Sequence, residues 1–244
     1  METCCVIQAR CGSARLPGKV LKPLAGRAVL EHVIARCRSA RGVDTVSVAT
    51  SALSQDDPIA TLCQQLNTPV FRGSEDDVLD RYYQAVKASA PDDIVVRVTA
   101  DCPLVSAEGI AEIVATLQRE KLDYCIWDLS RVPLGLASEA MRFAALATAW
   151  RDAKEPADRE HVTRYLYQDV THGFRVRKLA TQLIPARTDV RLTLDTPEDY
   201  AVLRAIFDAL YKPERLIALA DVFAWLDAHP QLAALNRHVP QKKA

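Results

Sequence analysis

The chain has 244 residues, 49% of them hydrophobic and 25% charged, which is enough to bury a sizeable core and ordinary for a globular protein. Its 31 basic residues are balanced by 31 acidic ones, against a general nucleic-acid binder, which carries a basic excess. No apolar run approaches the roughly 20 residues that span a bilayer, no charged leader with an apolar stretch opens the chain, and the seven cysteines include no C-x-x-C pair; a cytoplasmic protein with reduced thiols and no membrane partner is expected.

The first predicted element is a buried strand over Cys4-Cys5-Val6-Ile7, a short continuous apolar run. It empties into a loop that holds Gly12, Ser13, Pro17 and Gly18 with three cations, Arg10, Arg15 and Lys19, and no acid between them. A strand that opens into a Gly-containing cationic loop is how α/β proteins hold phosphates: backbone N–H groups point inward and Arg and Lys neutralise the oxygens. Val29, Leu30, Val33, Ile34 and Cys37 recur at helical spacing and predict a helix over 28–40, and the β-branched alternation of 44–50 predicts a strand. Asp57-Pro58 suits an N-cap and first helical position for a helix to about 66. A short strand at 69–71, a turn at Arg72-Gly73-Ser74 and a helix over 76–90 follow. The strand over 93–99 is cut short by Ala100-Asp101-Cys102-Pro103, Ser106 caps a helix to about 119, and 122–127 is a strand.

This alternation is the pattern of a three-layer α/β fold, a mostly parallel sheet with helices on both faces. The second half reads differently. An extended stretch with a turn at 131–136 leads into helices over 139–153 and 157–170, strands over 174–182 and 190–194, helices over 197–210 and 214–228, and a frayed tail ending at 240–244. One domain over 1–244 with an inserted arm at 128–183 accommodates these elements.

Two familiar phosphate loops are excluded. Five residues separate Gly12 from Gly18 and Val20 follows Lys19, unlike the Walker spacing, and G-x-G-x-x-G occurs nowhere. Taken alone, the three cations fit a solvated loop face equally well. Asp101 and Asp195 each lie at or just past the end of a predicted strand, where open α/β sheets place ligands. Mg²⁺ takes one or two carboxylates and completes its shell with phosphate oxygens and water. On spacing alone, however, Asp195 before Thr196-Pro197-Glu198-Asp199 reads better as a helix-start residue.

The order of residue types goes further. Gln8-Ala9-Arg10-x-x-Ser13-x-Arg15-Leu16-Pro17-Gly18-Lys19-Val20-Leu21 resembles the opening motif of the CMP-sugar synthetases, the cytidylyltransferases of acylneuraminate and 3-deoxy-manno-octulosonate. The match is nearest to the spore-coat polysaccharide branch. There the similarity continues through Arg72-Gly73-Ser74-Glu75-x-Asp77-Val78-Leu79-x-Arg81-Tyr82, Thr99-x-Asp101-Cys102-Pro103-Leu104, Arg159-Glu160-His161-Val162-Thr163 and Asp195-Thr196-Pro197-Glu198-Asp199, in family order from residue 5 to about 205.

The resemblance implies a Rossmann-like nucleotide-diphospho-sugar transferase fold, CTP and an acidic sugar as substrates, Mg²⁺ as cofactor and a homodimer built through the arm. It implies nucleotide contacts from Ala9, Arg10, Ser13, Arg15, Lys19, Arg72 and Asp101, with Arg15, Lys19 and Asp101 in catalysis. It assigns the metal to Asp101 and Asp195, reversing the helix-start reading of Asp195, and leaves Asp199 to cap. Arg159, Glu160 and His161 fall near the acceptor or the subunit interface. Arg81 reads as an ion pair with Asp77 four residues earlier on one helix. Trp127, Trp150 and Trp225 read as packing residues. The chain departs from the branch at Gly135-Leu136-Ala137-Ser138-Glu139, where Gly-Leu-Asp is usual before the glutamate; the lost carboxylate leaves the acceptor open. A nucleotidyltransferase with another nucleotide, or a catalytically silent nucleotide-binding module, remains a rival.

Overall fold

The computed structural model describes residues 1–241; the last three residues of the expected frayed tail lie outside them. Seven strands form one sheet: β1 (Thr3–Gln8), β2 (Thr45–Ser51), β3 (Val70–Gly73), β4 (Ile94–Thr99), β5 (Tyr124–Trp127), β6 (Glu139–Arg142) and β7 (Val176–Leu179). Their order is β3-β2-β1-β4-β6-β5-β7. All pairings are parallel except those of β6, which runs antiparallel to both β4 and β5. The strand order reverses between β1 and β4, and in such sheets the crevice at that point, outside the carboxyl ends of the strands, is where ligands bind.

Period-2 alternation sends side chains to two apolar layers. Cys5 and Ile7 of β1 and Ile94, Val96 and Val98 of β4 pack into one layer. It includes α1 (Val29–Ser39), α2 (Asp57–Gln65), α4 (Ala107–Arg119), α8 (Pro197–Leu210) and α9 (Leu219–Ala228). Val6, Val95, Tyr124 and Met141 face the other layer, beneath α3 (Val78–Val86), α5 (Phe143–Asp152) and α7 (Arg164–Tyr167). The three-layer, mostly parallel α/β architecture is as expected. Ser106 caps α4, its hydroxyl accepting from the Gly109 N–H at 2.9 Å.

Four expectations are corrected. The helix predicted over 139–153 starts only at Phe143, because Glu139–Arg142 form β6. Glu, Ala, Met and Arg are good helix formers, yet Ala140 and Met141 are each buried in opposite layers, and that two-sided burial overrides propensity. The segment 128–183 is accordingly no simple inserted arm: it supplies β6 and β7 to the sheet. The helix over 157–170 is split into α6 (Pro156–His161) and α7, since Val162 has φ of +56° and ψ of −59°, a γ-turn geometry that is strained for a β-branched residue. The strand over 190–194 does not join the sheet. It crosses the strand ends, its Leu192 N–H donating to Leu134 O and its Leu194 N–H to Asp101 O, both at 2.8 Å.

That crossing depends on Gly135, whose φ is +98°. A Cβ there would stand 2.4 Å from the Leu192 carbonyl carbon and 2.5 Å from Thr193 N. Gly135→Ala is expected to cost about 2 kcal/mol or more through strain and backbone overlap, lowering the melting temperature by about 4–8 °C for a chain of this size. An unchanged thermal melt would refute this close approach.

Candidate active site

The loop after β1 is held in shape from beneath. The Cys11 N–H donates to Asp56 Oδ1 at 2.7 Å, and the Ser51 hydroxyl donates to the other oxygen of Asp56, which is fully buried. The Ser13 and Gly18 N–H groups both donate to Cys11 O, at 2.8 and 3.0 Å. Gly18 takes φ of +64°, and the loop ends in a 3-10 turn at Lys19–Leu21 rather than an α-helix. Among the described residues, the backbone N–H groups of Arg10, Gly12, Ala14 and Arg15 find no protein acceptor. Unpaired N–H groups on a concave loop are the donors that anions take.

The ammonium of Lys19 points to the end of β4. Its Nζ donates to Asp101 Oδ2 at 2.6 Å and to Asp195 Oδ1 at 2.8 Å. Arg15 approaches Asp195 at 3.3 Å, and Arg191 donates to Asp195 Oδ2 at 2.6 Å. Asp199, as expected, belongs to the helix: Thr196 and Asp199 form a reciprocal capping box at the start of α8. Asp199 also pairs with Arg191 at 2.9 Å and accepts from Asn236 at 2.9 Å. Asp195 is thereby released from capping and faces the cations.

Burial pushes the Lys19 amine toward its neutral form, but the charges of Asp101 and Asp195 outweigh it and hold its pKa above the ordinary value. Burial likewise raises the Asp101 carboxyl, and the Lys19 charge with its hydrogen bond overcomes that, leaving it below the usual range. Both groups are charged near neutrality. Burial, with the Asp101 charge next, pushes the neighbouring Cys102 thiol up to about 12, so it is no nucleophile there.

A cavity of about 290 Å³ opens over these groups, lined by Ala9, Arg10, Ser13, Arg15, Lys19, Asp101 and Asp195, with Gln8, Arg81 and Thr99. Seven of the residues expected to bind nucleotide or metal are thus brought together. Arg72 is not: its guanidinium donates to Ser51 O at 3.0 Å and Leu53 O at 2.8 Å and pairs with Asp57 at 2.7 Å. Arg159, Glu160 and His161 do not line this cavity either. Arg159 clamps Asp77 with both Nε and Nη2 and donates to Trp150 O at 2.7 Å. Glu160 is exposed and His161 half-buried. The expected Asp77–Arg81 ion pair is absent, because Asp77 accepts from the Asp80 N–H and holds Arg159 instead. Trp127, Trp150 and Trp225 are engaged in packing as expected, Trp150 stacking on Tyr83 at 4.0 Å and Trp225 on His229 at 4.3 Å.

Sequence reasoning missed Asp56, Arg81, Arg97 and Glu139. Arg97 donates to Gln8 Oε1 and pairs with buried Glu139, which also accepts from Tyr124 OH at 2.6 Å and Thr163 Oγ1 at 2.8 Å. Glu139 lines a second cavity of about 250 Å³ with Tyr124, Asp128, Tyr167 and Lys178. The signals available were Arg97, a cation inside an otherwise apolar strand, and the places of Arg81 and Glu139 in the family motifs.

The sequence profile described as Cytidylyltransferase matches residues 4–225. The chain belongs to the cytidylyltransferase family. It is 32% identical over 234 residues to the spore coat polysaccharide biosynthesis protein SpsF of Bacillus subtilis, covering 93% of this chain and 95% of that protein. Over 115 residues, 46% of each chain, it is 36% identical to a 3-deoxy-manno-octulosonate cytidylyltransferase of an Anaeromyxobacter species. Among solved structures, a cytidylyltransferase from Leptospira borgpetersenii superposes over the full length of both chains with a TM-score of 0.87 at 26% identity. The fold is the α/β nucleotidyltransferase fold of this family, and the chain is an enzyme of the CTP-dependent nucleotidyltransferase class. No helix among the described residues is long and apolar enough to cross a membrane.

The pH dependence of stability tests the Lys19 contact. A raised Lys19 pKa contributes stability below its unfolded value of about 10.4 that is lost as pH rises through the folded value; a depressed Asp101 pKa contributes above about 3.9 and is lost as pH falls through its folded value. Lys19→Met removes the cation and leaves two neighbouring carboxylates. The variant should melt below the wild type by a margin that is widest between roughly pH 5 and 9 and shrinks as pH falls below about 3.9. A margin that is constant across that range would refute the coupling.

Proposed function

We propose that the protein transfers CMP from CTP to a hydroxyl of an acidic sugar, releasing pyrophosphate, in the making of a surface polysaccharide or glycoconjugate. The observation that carries this is the convergence of Lys19, Asp101 and Asp195 beneath a loop of unpaired N–H groups. Membership of the cytidylyltransferase family supports CTP. The relatives named for spore coat polysaccharide and for 3-deoxy-manno-octulosonate support the acceptor class.

In this reading the loop N–H groups, Arg15 and Lys19 hold the triphosphate and neutralise the charge that moves to pyrophosphate when the acceptor hydroxyl attacks the α-phosphorus in line. No covalent enzyme intermediate is required. The donor set suits Mg²⁺. Among the described residues no cluster of three or more His, Cys, Asp or Glu could cage a metal, but Mg²⁺ needs only one or two carboxylates beside substrate phosphates. Asp101 and Asp195 already converge on a single cation, the Lys19 ammonium, and would hold the metal. Bound there, Mg²⁺ supplies Lewis-acid neutralisation of phosphate oxygens.

We place the acceptor toward the second cavity, because Gln8, Arg97 and Glu139 form a continuous hydrogen-bonded link from the first, and Lys178 offers a cation to an acid. A homodimer through the outer edge of β7 and the exposed Val170 region, and a cytoplasmic location consistent with seven free cysteines, complete the proposal.

Incubation with each nucleoside triphosphate, Mg²⁺ and a panel of keto-sugar acids should release pyrophosphate with CTP and at least one acceptor. Absence of both turnover and CTP binding would overturn the reading. Asp101→Asn should lower kcat by about 10²- to 10³-fold, the scale seen on loss of one electrostatic group, and raise the Mg²⁺ concentration needed. Turnover unchanged at low Mg²⁺ would remove Asp101 from the metal site.

A further inference from the structure

Arg81 on α3 is 1% exposed and lies against the end of β3, where a Cβ on Gly73 would meet its Cγ at 3.2 Å. All of its hydrogen bonds come from Nη1, to Ser74 O at 2.6 Å and Glu75 O at 3.4 Å. Its buried Nε has no partner, and among the described residues it forms no ion pair. Asp77, placed one helical turn away to neutralise it, is taken by Arg159. A buried charge is ordinarily paired, and one left without a carboxylate is strongly disfavoured; an unsatisfied buried donor calls for a cause.

The cause lies in where the side chain ends. Arg81 lines the same cavity as the phosphate loop. It enters from the β3 side, two strands from β1 and about 10 Å away at normal strand spacing. Asp101 and Asp195 stand on the β4 side. A nucleotide anchored by its triphosphate at Lys19 therefore has its base free to extend toward Arg81.

A guanidinium offers only donors, in a rigid planar fork. Cytosine presents two adjacent in-plane acceptors, O2 and N3. Uracil interposes a donor, N3–H, between its carbonyls, so a fork of donors that fits cytosine is opposed by uracil. Guanine offers an adjacent acceptor pair only at O6 and N7, on a larger ring.

We propose that Arg81 is the base-reading residue of this site, the Nε and Nη2 edge of its guanidinium, left free by the Nη1 bonds, addressing O2 and N3 of cytosine and so setting the choice of CTP over UTP. This rests on the CTP reading above. It gives Arg81 a specificity role; phosphate and metal binding stay with the loop and the two aspartates.

The test compares wild type, Arg81→Lys and Arg81→Met in pyrophosphate release from CTP, UTP and GTP, with inorganic tripolyphosphate binding as a probe that has no base. Arg81→Met should lose about 10- to 100-fold of the CTP-over-UTP preference, the discrimination of one bidentate pair, through a raised KM for CTP, while tripolyphosphate binds as in wild type. Arg81→Lys keeps the charge but not the fork, so it should fold as wild type and still lose most of the preference; it decides the matter if the Met variant does not fold. A CTP-over-UTP preference unchanged in the variants, where the wild type uses CTP, overturns the Arg81 assignment alone. Equal weakening of CTP, UTP and tripolyphosphate also overturns it, by making Arg81 a phosphate ligand. A wild type that binds no nucleoside triphosphate overturns both this proposal and the reading beneath it.

Discussion

The C-terminal edge of the sheet is organised by one ammonium between two carboxylates. Lys19, Asp101 and Asp195 come from three parts of the chain separated by 82 and 176 residues from the lysine. Two carboxylates this close repel, and a cation between them offsets that repulsion. Lys19 supplies that cation and in doing so fastens three segments: the loop after β1, the end of β4 and the stretch crossing toward α8. The contact therefore fixes the floor of the cavity, and the same Lys19 charge holds the Asp101 carboxyl below its usual range.

Asp195 depends in turn on residues that never reach the cavity. Arg191 and Asn236 hold Asp199, and the Thr196 capping box finishes the start of α8. Without them Asp195 would be the natural candidate to cap that helix, and its carboxylate would turn to backbone N–H groups. Asp199 carries the capping role, so Asp195 is free to face Lys19 and Arg15. On the other side, Asp56 ties the loop at Cys11 to β2 through Ser51. Asp195 and the loop at Cys11 are thus each held by residues on packed elements.

How much was legible follows from the range over which each signal acts. The first four strands and α1 to α4 come from local periodicity, and their two-sided burial agrees with it. The loop cations and the two acids were legible because both sit where strands end, and the ordered motifs joined them across the chain. What failed were local readings overruled by a distant partner. Arg81 and Asp77 have the spacing of an ion pair, but Arg159 arrives from α6 with a two-pronged grip and takes Asp77 away. Glu139–Arg142 look helical, but a gap between β4 and β5 takes them as a strand. Val190 to Leu194 alternate like a strand, yet their backbone meets Leu134, Asp101 and the Asn236 side chain rather than a strand of the sheet. Arg72 sits in the motif, but Ser51, Leu53 and Asp57 saturate it.

The charges of the cavity then divide unevenly. Of the groups that line it, Lys19 and Arg15 are matched by Asp101 and Asp195. Arg10 is only loosely balanced, 3.9 Å from Glu75 and half exposed, and Arg81 forms no ion pair among the described residues. The surplus is about two positive charges, one at the mouth of the loop and one at the β3 end. A nucleoside triphosphate carries roughly four negative charges near neutral pH, since the second ionisation of a terminal phosphate lies near 6. Protein cations alone leave about half of that uncompensated unless Lys19 and Arg15 abandon their acids. On the proposed reading Asp101 and Asp195 would hold a divalent ion, which would supply about two further positive charges, and Lys19 and Arg15 would face phosphate. The ion pairs of Lys19 and Arg15 with Asp101 and Asp195 set these four groups side by side on the floor of the cavity, where a triphosphate and its counter-ion would need them.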